Sequence, residues 1–384
     1  MKIVADENIP FADSLFAAFG DVVRVSGRDL QALQVADADM LIVRSVTQVN
    51  RALLDGSRVR FVGTCTIGTD HVDLDYLAQQ GIGFSNAPGC NAVSVVEYIL
   101  SCLTHFWHEQ GLKFLTKRVG IIGLGNVGGR LYRRLTAMGM DCVGYDPLID
   151  QQSFANMVDL DAVLSCDIIC LHTPLTTDGD YPTLHLLSLP QLKQLKPGTV
   201  LINAGRGGAI NNADLLSLLQ AGQDLNVVLD VFESEPNIDL SLLPFLQIAT
   251  PHIAGYSFDG KVTGTQMIFA AACEFFKRHE LLANPAKIES ARLDVQMLAA
   301  LQQADLYPAM YQLVQSVYSV KADDQRTRAK LLAAAGDEVG IAFDELRKHY
   351  PRRRQWLDLT VPAPSRLDDA QRKVFAGLGV VLKD

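Results

Sequence analysis

Three polar residues lie at or just beyond the ends of predicted strands in the middle of the chain. Arg206 is in NAGRGG, Glu235 in DVFESEP and His252 in TPHIAG. A guanidinium can hold a carboxylate through two parallel hydrogen bonds, and a histidine titrates near neutrality, so it can take or return a proton. A carboxylate beside that histidine would orient the ring and stabilise its protonated form. Together these residue types predict oxidation of a 2-hydroxy acid, with His252 accepting the hydroxyl proton.

Each of the three residues also has a structural interpretation. A histidine beside a proline usually packs, a Glu-Pro pair usually lies in a loop, and an arginine in a glycine-rich turn often contacts a carbonyl or a phosphate. Taken singly, these interpretations are favoured. The three residues nevertheless follow successive strand and helix units, and ligands of open parallel sheets bind outside the carboxyl ends of the strands. Their common placement therefore favours the catalytic interpretation.

A glycine pattern precedes these residues in the segment KRVGIIGLGNVGGRLYRRLTAMGMDCVGYDP. Gly123, Gly125 and Gly128 form G-x-G-x-x-G inside a strand, turn and helix pattern, and Asp146 closes the next strand. The first glycine allows a tight turn, the second lets a pyrophosphate approach the backbone, and the third permits close helix packing. Asp146 can accept the adenosine ribose hydroxyls and would repel a 2′-phosphate, which favours NAD over NADP. The alternative is a glycine-rich turn that serves packing alone.

The surrounding pattern predicts an α/β protein with parallel sheets. Short apolar runs such as KIVAD, MLIVRS and RFVGT alternate with helical runs up to about Pro88, and a second set extends from KRVGII to LQIATPH. The apolar segment Ala92 to Phe106 is interrupted by polar residues and is too short to span a bilayer, so it is predicted to be a buried connecting helix. From about Ile288 the pattern changes, and the remaining residues are predicted to form a separate mixed module.

Composition narrows the classes of partner. A net charge of −9 disfavours binding to nucleic acid or to an anionic membrane surface, because both would be repelled. The N-terminus lacks the pattern of a signal peptide, and the seven cysteines are scattered, as in proteins of a reducing compartment. We therefore expect a cytoplasmic protein that acts on a small molecule, without a metal site or a disulfide.

The motifs GLGNVG, LHTPLT, LINAGRGG, DVFESEP and TPHIAG resemble, in this order, those of the D-isomer-specific 2-hydroxyacid dehydrogenases. The resemblance implies a Rossmann-type doubly wound NAD domain inserted into a discontinuous, flavodoxin-like α/β substrate domain. It places the arginine, glutamate and histidine of the family on Arg206, Glu235 and His252. The implied cofactor contacts, added to Gly123, Gly125 and Gly128, are Asn126, Val127, Asp146, Thr173, Ala204, Gly205, Arg206, Asp230 and Gly255.

The opening MKIVADENIP, the run CTIGTDHVD and the final module resemble one branch of this family. That resemblance implies a small phosphorylated four-carbon 2-hydroxy acid as substrate, and a homodimer formed through a C-terminal α+β domain. The predicted domains are residues 1–92 with 257–286 for the substrate, 93–256 for NAD, and 287–384 for dimerisation. The implied substrate contacts are Ser45, Thr66 and Tyr256.

Two groups of basic residues could bind the phosphate of the substrate, and only their charge suggests this role. Arg44 would neutralise a phosphate beside Ser45, or else would pair with a structural carboxylate. The run Leu346 to Arg354 is typical of a solvated face, although it could also contact the substrate phosphate or a neighbouring subunit.

Two alternative functions remain open at this point. One is another D-2-hydroxyacid dehydrogenase, chiefly one for 3-phosphoglycerate. Such enzymes carry a segment similar to CTIGTDHVD but often have a small βαββαβ regulatory module, which the tail of this chain does not resemble. The other is an NAD-sensing binding protein on the same scaffold. The presence of Arg206, Glu235 and His252 favours an enzyme.

Overall fold

The structure is a computed structural model that describes residues 1–283, 295–302, 305–364 and 367–383. Contacts between Cα atoms divide the chain into two compact units. The first unit comprises Met1–Asn91 and the described part of Tyr256–Glu289, and the second comprises Ala92–Gly255 and the described part of Ser290–Asp384. The expected boundary at residues 286 and 287 lies outside the described residues, and the division into three domains stays a prediction.

Strands and helices alternate through most of the chain. The strands are β1 (Lys2–Asp6), β2 (Asp21–Val25), β3 (Met40–Val43), β4 (Phe61–Thr64), β5 (Gly83–Ser85), β6 (Arg118–Ile122), β7 (Asp141–Tyr145), β8 (Ile168–Leu171), β9 (Thr199–Asn203), β10 (Leu225–Leu229), β11 (Ile248–Ala249), β12 (Leu359–Pro362) and β13 (Val380–Lys383). The α-helices are α1 (Ala12–Phe16), α2 (Ala32–Val35), α3 (Arg51–Leu54), α4 (Leu74–Gln79), α5 (Ala92–Gln110), α6 (Gly128–Ala137), α7 (Leu160–Leu164), α8 (Leu189–Leu192), α9 (Asn212–Gln220), α10 (Phe258–Phe275), α11 (Val295–Leu301), α12 (Leu306–Val317), α13 (Val320–Leu331), α14 (Glu338–Lys348) and α15 (Asp369–Leu378). Short 3-10 helices cover Phe114–Thr116, Gly207–Ala209, Leu240–Phe245 and His279–Ala283.

The first unit contains a five-stranded parallel sheet in the order β2-β1-β3-β4-β5. Its inner strands β3 and β4 are buried along their whole length, which explains their unbroken apolar sequences. The strand order is that of flavodoxin-like sheets. The expected flavodoxin-like α/β fold is therefore confirmed.

The second unit contains a six-stranded parallel sheet in the order β11-β10-β9-β8-β6-β7. Beside β7, a single parallel bridge joins Gly144 to Met157, with a hydrogen bond of 2.9 Å from the Val158 amide to the Gly144 carbonyl. When this bridge is counted as a short strand, the bridge, β7, β6, β8, β9 and β10 have the order 3-2-1-4-5-6 of the doubly wound Rossmann fold, and β11 is an additional strand at the edge. The expected Rossmann-type sheet is confirmed.

Helix α5 is the buried connecting helix expected from residues 92 to 106, and it continues to Gln110. Glu97 lies on its buried side, with no exposed surface, and its Oε1 accepts hydrogen bonds from the amides of Trp356 (2.8 Å) and Leu357 (2.9 Å). Burial raises the pKa of Glu97 to about 7, against the opposing charges of Arg353 and Arg134. The helix thus anchors the C-terminal segment.

The C-terminal segment is a mixture of helices and a two-stranded parallel sheet, as expected for an α+β module. Its residues Leu331, Val339 and Phe343 share one hydrophobic cluster with Leu229 and Ala249 of the Rossmann sheet. The tail therefore packs directly on the nucleotide domain within the second unit.

Arg353 belongs to the basic run that was expected to form a solvated face. It is only 5% exposed, and it donates hydrogen bonds to the carbonyl oxygens of Ala254 (3.0 Å) and Ser94 (2.6 Å). Its guanidinium carbon lies 3.6 Å from the centre of the Tyr318 ring, a cation–π contact. Arg353 is thus a packing residue of the second unit, whereas Lys348 of the same run is exposed.

Replacing Arg353 should therefore lower stability strongly. Arg353→Met removes two charge-assisted hydrogen bonds and a cation–π contact from the interior of the second unit, so we expect a loss of about 3 kcal/mol or more in the free energy of unfolding. Urea denaturation of the variant, with the exposed Lys348→Met as the matched control, measures this. Equal stabilities of the two variants would contradict the structural role of Arg353.

Candidate active site

His252 lies in the turn after β11 and pairs with Glu235. Its Nδ1 is 2.7 Å from Oε2 of Glu235, and the two side chains are 34% and 19% exposed. The His252 backbone has a φ of 57°, and its amide donates to the Asp230 carbonyl at 2.7 Å. Because an ionised carboxylate only accepts, Nδ1 carries the hydrogen and Nε2 is available to accept a proton. Among the described residues Nε2 has no hydrogen-bond partner.

Glu235 is held as an anion by its surroundings. Burial alone raises its pKa, but the hydrogen bond and the charge of His252, the Phe232 amide at 2.9 Å and the cation of Arg347 lower it, and the net direction is downward. Two residues earlier, Glu233 has a different environment, since it accepts from the Asn212 amide and contacts His185. The structure therefore assigns the carboxylate partner of His252 to Glu235.

Asp230 shapes the turn that carries His252. Its buried carboxylate accepts hydrogen bonds from the Thr250 hydroxyl (2.6 Å), the Ile253 amide (2.9 Å) and the Ala254 amide (2.9 Å). Burial raises the pKa of Asp230, while the charge of His252 and these hydrogen bonds oppose that rise. Asp230 thus stabilises the turn from inside, and its expected contact with the cofactor stays a prediction.

Arg206 follows β9, in the turn that leads to the 3-10 helix Gly207–Ala209. Its Nη1 donates to the carbonyl of Gly205 at 2.9 Å, and its own carbonyl accepts from Asn203 Nδ2 at 3.0 Å. A side chain on Gly207 would place its Cβ 1.9 Å from the Phe232 carbonyl oxygen. The turn of Arg206 is therefore packed against the loop of Glu235, although no direct contact of Arg206 with Glu235 or His252 occurs among the described residues.

The three glycines of the fingerprint have the distinct environments that dinucleotide binding requires. Gly123 has a φ of 84°, and a Cβ on Gly128 would lie 1.9 Å from the Gly123 carbonyl oxygen, whereas a Cβ on Gly125 would meet no atom within 4 Å. Gly125 thus leaves its backbone open to a ligand. Asp146 Oδ2 accepts from the Leu124 amide at 2.9 Å, which ties the predicted ribose contact to the same loop.

Helix α6 begins at Gly128 and directs the positive end of its dipole toward this loop. Asn126 and Val127 precede it, and Ala204 and Gly205 follow β9, so these predicted contacts all lie beyond the carboxyl ends of strands. Gly255 ends the turn that carries His252. The site therefore fits a pyrophosphate, a ribose and a nicotinamide at one edge of the Rossmann sheet.

His172 and Thr173 form the turn after β8, and the sequence analysis identified only Thr173. Both ring nitrogens of His172 and the hydroxyl of Thr173 are buried without a hydrogen-bond partner. Burial lowers the pKa of His172 to about 3, so the ring is neutral. Cβ atoms on Gly123 or Gly205 would lie 3.0 to 3.2 Å from the backbone of this turn. These buried polar atoms beside the glycine loop fit hydrogen bonds to a bound nucleotide. The signal for His172 in the sequence is its place as a polar residue directly after a strand.

The predicted substrate contacts lie in the first unit, after β3 and β4 and before α10. Arg44 Nε donates to Asp6 Oδ1 at 3.0 Å, so the structural pairing considered for Arg44 is present. Ser45 is exposed. The Thr66 hydroxyl is 2.7 Å from that of Thr64. The Tyr256 ring contacts the ammonium group of Lys261. The roles of these residues in substrate binding stay predictions.

Other kinds of site receive no support from the described parts of the chain. There, no group of three or more His, Cys, Asp or Glu side chains is arranged to hold a metal ion. All seven cysteines are free and buried. No helix in these parts combines the length and the apolarity needed to cross a membrane.

Comparisons with known proteins agree with this geometry. The family model described as D-isomer specific 2-hydroxyacid dehydrogenase, NAD binding domain, matches residues 96–254, and a model described as a domain of unknown function matches residues 291–379. The erythronate-4-phosphate dehydrogenase of Cellvibrio japonicus is 49% identical over 97% of this chain and 97% of its own length. The protein of that name from Pseudomonas fluorescens is 46% identical over 99% and 100%.

Solved structures are similar in fold. An NAD-bound 3-phosphoglycerate dehydrogenase of Entamoeba histolytica covers 75% of this chain and 99% of its own, with a TM-score of 0.61 and 24% identity. A D-lactate dehydrogenase of Aquifex aeolicus with NAD and lactic acid covers 73% and 97%, with a TM-score of 0.58 and 22% identity.

The chain belongs to the D-isomer-specific 2-hydroxyacid dehydrogenase family. Its second unit contains the NAD-binding domain of that family, and the protein is an NAD-dependent dehydrogenase. The relatives that match it over nearly its full length are named erythronate-4-phosphate dehydrogenases.

Two glycines of the fingerprint should respond differently to the same substitution. Gly128→Ala forces a collision with the Gly123 carbonyl, so we expect a loss of about 1–3 kcal/mol in stability together with loss of NAD binding. Gly125→Ala has space for its methyl group, so it should keep its thermal stability and weaken NAD binding by about tenfold or more. Thermal melts and NAD titrations compare them. A destabilised Gly125→Ala beside an unaffected Gly128→Ala would refute this assignment.

The neutral state of His172 predicts a pH-dependent stability. Its pKa falls from 6.5 in the unfolded chain to about 3 in the folded one, so the unfolded chain binds a proton that the folded chain does not. Wild type should therefore lose stability relative to His172→Gln as the pH falls from 6.5 toward 3. Urea denaturation without nucleotide at several pH values tests this, with the exposed His349→Gln as control. A stability difference that does not change with pH would contradict it.

Proposed function

We propose that the chain catalyses the NAD-dependent oxidation of 4-phospho-D-erythronate to (R)-3-hydroxy-2-oxo-4-phosphooxybutanoate, a step of pyridoxal 5′-phosphate biosynthesis. The observation that carries the proposal is the His252 and Glu235 pair, 2.7 Å apart in a chain that is 49% identical over nearly its full length to a named erythronate-4-phosphate dehydrogenase. The pair supplies a general base with an orienting anion, which this oxidation requires.

His252 and Glu235 perform the proton transfer. Nε2 of His252 takes the hydroxyl proton at C2 while the C2 hydrogen leaves as hydride, and the C–O single bond becomes the carbonyl of the product. Glu235 holds the Nδ1 hydrogen, keeps Nε2 aimed outward and stabilises the imidazolium that forms. NAD, when bound, accepts the hydride. The proton on His252 then passes to solvent, or returns to the substrate in the reverse reaction.

Arg206 binds the substrate carboxylate in this proposal. Its guanidinium offers a planar fork that matches a carboxylate and fixes the direction of the C2 hydrogen. The residues that would hold NAD, besides Arg206, are Gly123, Gly125, Asn126, Val127, Gly128, Asp146, Thr173, Ala204, Gly205, Asp230 and Gly255. The carboxylate of Asp146 beside the glycine loop supports a choice of NAD over NADP, because it would repel a 2′-phosphate.

The other proposed features concern the substrate, the assembly and the location. Ser45, Thr66, Tyr256 and Arg44 contact the phosphorylated substrate. A homodimer forms through residues 287–384, a proposal supported by the exposed apolar side chains of Leu332 (62%) and Ile341 (65%) in that segment. The seven free thiols support a reducing, cytoplasmic location.

Formation of NADH with purified protein tests the proposed reaction. We expect a higher kcat/KM for 4-phosphoerythronate than for 3-phosphoglycerate, with a carbonyl reagent added to trap the 2-oxo product. His252→Ala should lower kcat by about 10²- to 10⁴-fold and leave NAD affinity nearly unchanged, because it removes the base and no cofactor contact.

Each alternative function gives a different result in this assay. Preference for 3-phosphoglycerate would replace the proposed substrate and retain the mechanism. NAD binding without turnover of either substrate would instead favour an NAD-sensing protein. Normal turnover by His252→Ala would require a different base.

A further inference from the structure

Arg44 is held in the first unit by a buried carboxylate. Asp6, at the end of β1, is 1% exposed, and its Oδ1 accepts from Arg44 Nε at 3.0 Å and from the Asn8 amide at 2.7 Å. The Arg44 side chain is 26% exposed. Asp6 thus binds the Nε edge of the Arg44 guanidinium. The rest of the guanidinium stays partly exposed at the carboxyl edge of the sheet.

A second cation, Lys261, lies one helical turn before Gly264, which packs against the Cys65 carbonyl. The Cys65 amide in turn donates to the carbonyl of Val43, the residue before Arg44, at 2.9 Å. Lys261 is in the first turn of α10, where desolvation and the charge of Arg44 lower its pKa. Among the described residues, its ammonium forms no ion pair. The Lys261 ammonium nitrogen lies 5.5 Å from the centre of the Tyr256 ring, a cation–π contact. The ring positions the ammonium without neutralising it.

Close packing of α10 holds Lys261 near the ends of the neighbouring strands. A Cβ on Gly264 would lie 2.8 Å from the Cys65 carbonyl oxygen, and a Cβ on Gly63 would lie 2.2 Å from Ile268. The start of α10 is capped by Ser257, whose hydroxyl accepts from the Gly260 amide at 2.9 Å. The positive end of the helix dipole therefore adds to the two cations.

We propose that Lys261 and Arg44 form a phosphate-binding subsite in the first unit, and that Lys261 selects phosphorylated over unphosphorylated 2-hydroxy acids. The subsite deepens the proposed function and rests on it for the identity of the substrate. Two cations and the one carboxylate that pairs with Arg44 leave net positive charge at this edge of the sheet, which is costly until an anion binds.

The chemistry of the two side chains fits a phosphate monoester. Such a group carries a charge of about −1.5 to −2 and three acceptor oxygens, so it can pair with both cations at once. Arg44 offers a directed fork, while the ammonium of Lys261 is a compact charge with three rotatable donors. An unphosphorylated acid would leave Lys261 unpaired, and this difference provides the selection.

The test uses inorganic phosphate as a probe of the subsite, without turnover. Calorimetric titration of phosphate into NAD-saturated protein should show binding that is about 10- to 100-fold weaker in Lys261→Gln than in wild type, the value expected for one charged hydrogen bond. Lys261→Arg should retain most of the affinity. Lys193→Gln, which removes an exposed lysine on the second unit, should bind phosphate as wild type does.

Kinetics give a second readout. In Lys261→Gln, the ratio of kcat/KM for 4-phosphoerythronate to kcat/KM for D-erythronate should fall by a similar factor, and thermal melts should confirm that the variant folds. Wild-type values of both phosphate affinity and substrate ratio in Lys261→Gln would overturn the subsite. Weaker phosphate binding in a protein whose wild type does not oxidise 4-phosphoerythronate would retain the subsite and reject the proposed substrate.

Discussion

The hydrogen bond between His252 and Glu235 is the constraint on which the rest of the site depends, because it joins two loops from separate parts of the chain. Each loop is held independently. The carboxylate of Asp230 binds the turn of His252 from inside, and the Phe232 amide binds Glu235. Moving either loop would leave buried donors or acceptors unsatisfied, so the imidazole keeps one orientation.

The C-terminal segment also contacts the same loops. Arg353 donates to the carbonyl of Ala254, two residues beyond His252, and the Phe343 ring meets the Phe232 ring edge to face at 6.4 Å. Asp324 of α13 also accepts from the amide of Ala249 in β11. The tail is therefore part of the framework that positions the proton-transferring pair, whatever further role it has in assembly.

The net charge of the protein affects large charged partners, whereas the charged groups around a binding site affect small ligands. The net charge of −9 repels large polyanions over long distances. A small anion instead responds to nearby groups, such as the positive dipole end of α6 or the cations of Arg44 and Lys261. The neutral ring of His172 adds no charge beside the glycine loop, so the helix end dominates there. An acidic protein can thus bind anionic small molecules.

The sequence by itself determined the features that depend on local spacing: the parallel strands, the glycine fingerprint with Asp146, and the positions of Arg206, Glu235 and His252 beyond strand ends. These were predictable because neighbouring residues set the local backbone and because parallel strands end at a common edge. Tertiary structure alone decided that Arg44 binds Asp6. It also decided that Arg353 is buried and that α10 holds Lys261 at the ends of β3 and β4. These contacts join distant segments through packing, which no residue spacing specifies.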